Sequence, residues 1–139
     1  MPVESHAIHV ETHGNTDILD ITASLRKVVG GSRIRNGIAT VFCPSSTSAV
    51  TTIEFESGCL ADLRRLFEEV VPANREYAHN ARWGDGNGHS HVRAALLGAS
   101  LTVPIRDGEL TLGTWQQIVY VDFDVRPRKR ELVLQLVGE

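Results

Sequence analysis

Long apolar runs are missing from this 139-residue chain. No stretch approaches the ~20 consecutive apolar residues that cross a bilayer, so no membrane partner is expected. The first residues, MPVESHAIHVETHG, contain neither a basic segment nor an apolar core, so no secretory signal is expected. An excess of basic charge is missing too. Lys and Arg total 14 against 17 Asp and Glu, a formal net charge of −3, which removes the global electrostatic case for nucleic acid as a partner. Cysteine is scarce: Cys43 and Cys59 are the only two and do not form a C-x-x-C pair. They are expected to be reduced, buried thiols of a cytoplasmic protein, although a disulfide between them is compatible with the sequence. Repeats, low-complexity tracts and linkers are also absent, so residues 1–139 form a single expected domain. A chain of this length buries roughly two-thirds of its unfolded surface. With 42% hydrophobic and 22% charged residues, its composition is that of an ordinary globular protein.

What is present is mostly periodic. Residues 7–12 alternate, with Ile8 and Val10 on one side and His9, Glu11 and His13 on the other, the pattern of a half-buried strand. The three polar residues at i, i+2 and i+4 are either ligands on one strand face or an exposed polar face. Ile18, Ile21, Leu25, Val28 and Val29 follow helical spacing, with Asp20 or Thr22 as cap and Gly30-Gly31 as stop. Residues 38–43 and 49–55 read as strands. Ser57 caps a second expected helix that carries Leu60, Leu63, Leu66, Phe67, Val70 and Val71 up to Pro72. A short helix is expected over 92–97, ended by Gly98. Leu101, Val103 and Ile105 are expected to pair with Leu110 and Leu112 across Asp107-Gly108, a strong two-residue hairpin signal. Residues 117–124 and 131–137 complete the strands. The fold class is therefore α+β, with a mostly antiparallel sandwich- or barrel-like sheet and two to three helices.

Between the second and third helices lies NREYAHNARWGDGNGHSH, residues 74–91, with no period of 2 or 3.6. Long irregular connections inside compact domains are either functional or disordered. Tyr77, Trp83 and three imidazoles argue against disorder. His79, His89 and His91 form a candidate metal set, because three protein ligands with one open position suit a catalytic zinc. His89-x-His91 points both rings to one side only in extended backbone, so this assignment requires the helix to start after His91. The alternative is a set of histidines satisfying backbone groups in a folded loop. Asp85 is a candidate catalytic group and Asn87 a candidate ligand contact in the same loop.

Outside the loop, Ser45, Ser46, Thr47 and Ser48 form a hydroxyl-rich turn. Thr47 and Ser48 are candidate contacts for phosphate or carboxylate oxygens, against the plainer reading of local bonding to backbone. Glu54 and Glu56 face one side if their strand persists; they are either the polar face of an edge strand or, through Glu54, a candidate general base. Trp115 and Gln116 are candidate substrate contacts, although Trp115 also reads as core. Asp122 and Asp124, on one face of an otherwise apolar strand, need a partner, and Arg126 or Arg128 is close in sequence. The basic run Arg126 to Arg130 is either a solvated turn or, through Arg126 and Arg128, an anion clamp.

The run GNGHSHVRAALLGASLTVPIRDGELTLGTWQQIVYVDFDVRPRKRELVLQLVGE, residues 86–139, resembles the YjbQ-like family of small bacterial and archaeal proteins. The resemblance extends upstream through Tyr77-x-His79-Asn80 and Ser46-Thr47-Ser48-Ala49. It implies an α+β fold with a barrel- or sandwich-like sheet, a homotrimer, and a pocket lined by histidines and acidic residues near a subunit boundary. It also implies a weak thiamine-phosphate synthase activity, joining a hydroxymethylpyrimidine diphosphate to a thiazole phosphate. One departure stands out: many members have a histidine where this chain has Ser46. If that histidine is a ligand or acid–base group, the function is lost here or replaced from Glu54 or Glu56. Size excludes the (β/α)₈ barrel of the common thiamine-phosphate synthases, which needs roughly 200 or more residues.

The leading expectation is a metal-assisted enzyme acting on a small phosphorylated or heterocyclic ligand. Zinc is the first choice of divalent metal, with magnesium accompanying a diphosphate substrate. Two other classes remain: a non-catalytic ligand-binding or regulatory protein using the same pocket, and a structural metal site in a trimer.

Overall fold

A computed structural model describes residues 1–139. Two antiparallel sheets carry the fold. The larger has five strands in the order β1 (Val3–Thr12), β8 (Arg128–Gly138), β3 (Gly37–Phe42), β5 (Ser100–Arg106) and β6 (Glu109–Leu110). The smaller has β2 (Asp17–Asp20), β7 (Gln117–Asp122) and β4 (Ser48–Ile53). Four helices accompany them: α1 (Thr22–Gly31), α2 (Ser57–Val70), α3 (Ala78–Trp83) and α4 (Gly88–Leu97).

Alternation in the strands sets the layers. Ile8, Ala39, Val41, Val103, Ile105, Leu132, Leu134 and Leu136 turn one face of the large sheet inward, against Leu25 and Val29 of α1 and Val50, Ile118 and Tyr120 of the small sheet. The opposite face of the small sheet presents Ile18, Ala49, Val119 and Val121 to Phe67 of α2 and Ala94 of α4. Strand β7 is thus covered on both sides, which explains its near-continuous apolar run. Tyr120 shows how a polar tip is accommodated there: its phenol donates to Ser48 Oγ at 2.6 Å, and burial pushes its pKa up to about 12.

The α+β class and the antiparallel sheet match the sequence reading, with one helix more than expected. The Asp107-Gly108 hairpin is present, with φ of 52° and 82° as a two-residue I′ turn requires. Leu112 lies beyond it, because β6 ends at Leu110. Ile18 does not belong to α1. It pairs with Val121 in β2, and the helix starts only after the Asp20 carboxylate accepts the Thr22 N–H at 2.9 Å. Gly30 and Gly31 are the last residues of that helix rather than a stop beyond it.

Strand β4 ends at Ile53, so Glu54, Phe55 and Glu56 do not alternate in a strand. Glu56, not Ser57, caps α2, accepting the N–H groups of Gly58 and Cys59 at 2.8 Å each. Leu66 and Val70 of α2 remain exposed. Residues 74–91 contain α3 and the first turn of α4. The sequence hid α3 because a six-residue helix with no buried residue shows no apolar period.

Candidate metal centre

Three local signals build the loop between α3 and α4. Gly84, at φ 66°, ends α3 in the left-handed conformation that glycine adopts without penalty. The Asp85 carboxylate then accepts the Asn87 N–H at 3.0 Å, and Asn80 Oδ1 accepts the Gly88 N–H at 2.8 Å. These contacts seat the start of α4 at Gly88, three residues before His91. The requirement that the helix begin after His91 is therefore not met. Inside a helix, residues two apart diverge by about 200°, and the two rings part company.

His91 turns toward α3, its ring centroid 4.5 Å from that of His79. His79, Asp85 and His91 form one cluster whose ligand atoms all lie within 4.8 Å of one another. His89 instead turns inward beside Tyr77, with ring centroids 6.3 Å apart. Burial, followed by the nearby Arg93 charge, lowers its pKa and keeps it neutral. Its Nδ1 is buried without a hydrogen-bond partner. The trio of histidines expected from spacing thus resolves into two histidines and Asp85.

The geometry of this cluster suits a cation. His79 Nδ1 approaches Asp85 Oδ1 to 3.3 Å, yet makes no hydrogen bond. Two ligands at ~2.0–2.2 Å from a tetrahedral zinc sit about 3.3–3.5 Å apart, so this pair already stands at the edge of such a tetrahedron. His91 Nδ1 lies 2.9 Å from the Ser46 carbonyl oxygen. A carbonyl only accepts, so Nδ1 carries the proton and Nε2 keeps its lone pair for a ligand. The side chains of His79 and Asp85 are 33% and 39% exposed, while the His79 Nδ1 atom itself is buried.

Beneath the cluster runs a closed network. Asp122, at 0% exposure, accepts from Thr12 Oγ1 at 2.6 Å, from Arg130 Nε at 2.9 Å and from Arg130 Nη2 at 3.0 Å. Asp124 accepts from Thr47 Oγ1 at 3.1 Å, from the Arg126 N–H at 3.0 Å and from Arg128 Nη2 at 3.1 Å. Burial raises the Asp124 pKa, but those donors outweigh it and hold the carboxyl below its ordinary value. Asn87 joins this network to the loop: its Nδ2 donates to Asp124 at 3.5 Å, and its Oδ1 accepts the Val125 N–H at 3.1 Å.

The other expected site residues divide accordingly. Thr47, Asn87 and Arg128 belong to this network, and Ser48 holds the Tyr120 hydroxyl. Arg126 contributes its backbone N–H to Asp124, while its side chain is exposed. Glu54, Trp115 and Gln116 lie elsewhere. Ser48 pairs with Asp122 and Ile53 with Gln117, so Glu54 is six residues along β4 from Ser48, about 20 Å away. Within one chain, neither Glu54 nor Glu56 can replace a histidine missing at position 46.

Two participants escaped the sequence reading. The basic run points to Arg126 and Arg128 as partners of the two aspartates, and the structure adds Arg130, whose i, i+2 relation to Arg128 mirrors that of Asp122 and Asp124. The Ser46 carbonyl had no signal at all, since backbone groups are the same in every residue.

Residues 6–139 match the family model described as UPF0047 protein YjbQ-like. A UPF0047 protein of Methanothermobacter thermautotrophicus is 40% identical over 139 residues, covering 100% of this chain and 95% of that protein. The UPF0047 protein YugU of Bacillus subtilis is 30% identical, covering 94% of this chain and 97% of YugU. Among solved structures, a YbjQ-like protein of unknown function from Sulfolobus solfataricus is similar with a TM-score of 0.94 and 34% identity, covering 99% of both chains.

Proposed function

The chain belongs to the YjbQ-like UPF0047 family, and on that premise we propose that His79, Asp85 and His91 hold a divalent metal, zinc first, that acts on a small phosphorylated or heterocyclic substrate. The observation that carries this reading is the 3.3 Å approach of His79 Nδ1 to Asp85 Oδ1 without a hydrogen bond. A divalent ion held there would serve as a Lewis acid toward a phosphoryl or carbonyl oxygen. The Asn87 N–H orients Asp85, and the Ser46 carbonyl fixes the His91 tautomer. Arg128, partly engaged by Asp124, and Arg126 offer guanidinium groups to an anionic substrate, with magnesium accompanying a diphosphate. A weak thiamine-phosphate synthase-like transfer is the first reaction to try.

The test has separable parts. Protein purified without an affinity tag should contain stoichiometric metal by elemental analysis, and His79→Ala or His91→Ala should lose it. Absence of metal in the unmodified protein sinks the proposal. Incubation with the two thiamine precursors and magnesium tests the transfer. No product above a blank at high protein concentration removes the transferase while leaving the metal centre as a ligand-binding or regulatory site.

The same proposal includes a homotrimer. Its support is the outer face of the large sheet, where Phe42, Val133 and Val137 line a hollow of about 370 Å³ with Thr40 and Gln135, and Ile38 on the same sheet is also exposed. Light scattering on the eluting protein measures the assembly. Cys43 and Cys59 are free thiols, which supports a cytoplasmic setting. No helix is long and apolar enough to cross a membrane.

A further inference from the structure

The far end of β4 holds residues that the metal centre leaves unused. Asp20, Glu54, Phe55, Glu56, Trp115 and Gln117 line a hollow of about 340 Å³. Trp115 is 72% exposed and Phe55 is also exposed, so two aromatic groups face water where a core position would have covered them. None of the three carboxylates takes part in an ion pair. No Lys or Arg lines the hollow, and no guanidinium stacks on Trp115.

The carboxylates differ in what they already do. Glu56 is fixed by the α2 N-terminus, whose Gly58 and Cys59 N–H groups lower its pKa and keep it charged. Asp20 gives one oxygen to the Thr22 N–H. Glu54 meets only the weak Cys59 thiol donor, at 3.8 Å. Their ligand atoms do not converge as those of His79, Asp85 and His91 do, so a bare metal ion would find no coordination shell. Negative charge spread around a hollow with exposed aromatic groups fits a larger cation, one that offers N–H groups to carboxylates and a positive face to an indole.

We propose that the Asp20, Glu54, Phe55 and Trp115 hollow is a second site, about 20 Å along β4 from the Ser48 end, that binds a small organic cation carrying an alkylammonium or guanidinium group. This site does not depend on the metal centre.

The test uses the full chain with Trp83→Phe, which leaves Trp115 as the only indole reporter. Titration with n-butylammonium and n-butylguanidinium should change Trp115 fluorescence saturably. n-Butanol and butyrate, of the same length without the positive charge, should not. Glu54→Gln and Asp20→Asn should each weaken binding about two- to five-fold, within the range for a single exposed ion pair. Trp115→Leu should abolish it, read from line broadening of the probe's NMR signals. His91→Ala should leave it unchanged, which keeps failure here distinct from failure of the metal reading. Equal response to butanol, no saturation, or no effect of Glu54→Gln overturns the proposal.

Discussion

The His79–Asp85–His91 cluster and the Asp122–Asp124–Arg130 network both put charged or polar groups together beside α4, yet they are built on opposite terms. In the network nearly every acceptor has a donor. Asp122 spends both oxygens on Thr12 and Arg130, and Arg130 is only 16% exposed. In the cluster, His79 Nδ1 and Asp85 Oδ1 meet without bonding, and the His91 Nε2 lone pair is left over. A buried polar set that satisfies itself is structure. One that stops short of doing so, at an open surface, is built for something brought from outside. Number of charges does not separate the two regions; unspent bonding capacity does.

The largest expected effect breaks the network side. Asp122→Ala removes the two close carboxylate contacts of Arg130, leaving Thr47 and the looser Asp124 approach at 3.7 Å, and should cost about 3 kcal/mol in urea unfolding, the low end for loss of one partner of a buried pair. His79→Ala, at an open site, should change metal-free stability by less than about 1 kcal/mol. Equal costs for the two variants would erase the distinction.

Next comes the metal. Adding zinc at roughly 100 times its Kd should stabilise the unmodified protein by about 2.7 kcal/mol and leave His91→Ala where it was, measured by thermal unfolding with and without chelator.

A smaller effect belongs to His89. Its folded pKa is lowered by burial, so the unfolded chain binds the proton more readily. Its stabilising contribution is complete above the unfolded value near 6.5. It falls as pH drops through that value toward the lower folded one, with a slope of at most about 1.4 kcal/mol per pH unit. His89→Gln should flatten that part of a stability profile between pH 7 and 5, and an unchanged slope would assign it to another group.

The smallest effect tests the support of the cluster: Ser46→Ala should keep the metal and change stability by less than about 0.5 kcal/mol.

Much of the fold was legible because its signals are local. The apolar alternation of β3, β5 and β8 and the Asp107-Gly108 turn need no knowledge of what lies opposite. The site was legible in composition but not in arrangement. Three histidines in one polar segment marked the place, but sorting them required the starting residue of α4. That start is set by Asn80 and Asp85 reaching across the loop, not by any period. Glu54 and Trp115 illustrate the same limit from the other side. Their residue types suit a catalytic pocket, and only the register of β4 on β7 shows that they stand at the other end of the strand.

The contact between His91 and residue 46 has a consequence for how this centre can vary. The atom that holds the imidazole is a main-chain oxygen, present whatever side chain the codon specifies. Position 46 is therefore free to exchange side chains while the ligand keeps its orientation, provided the turn between β3 and β4 keeps its path. Insertions or deletions in that turn, rather than replacements, are the changes that would reach the centre.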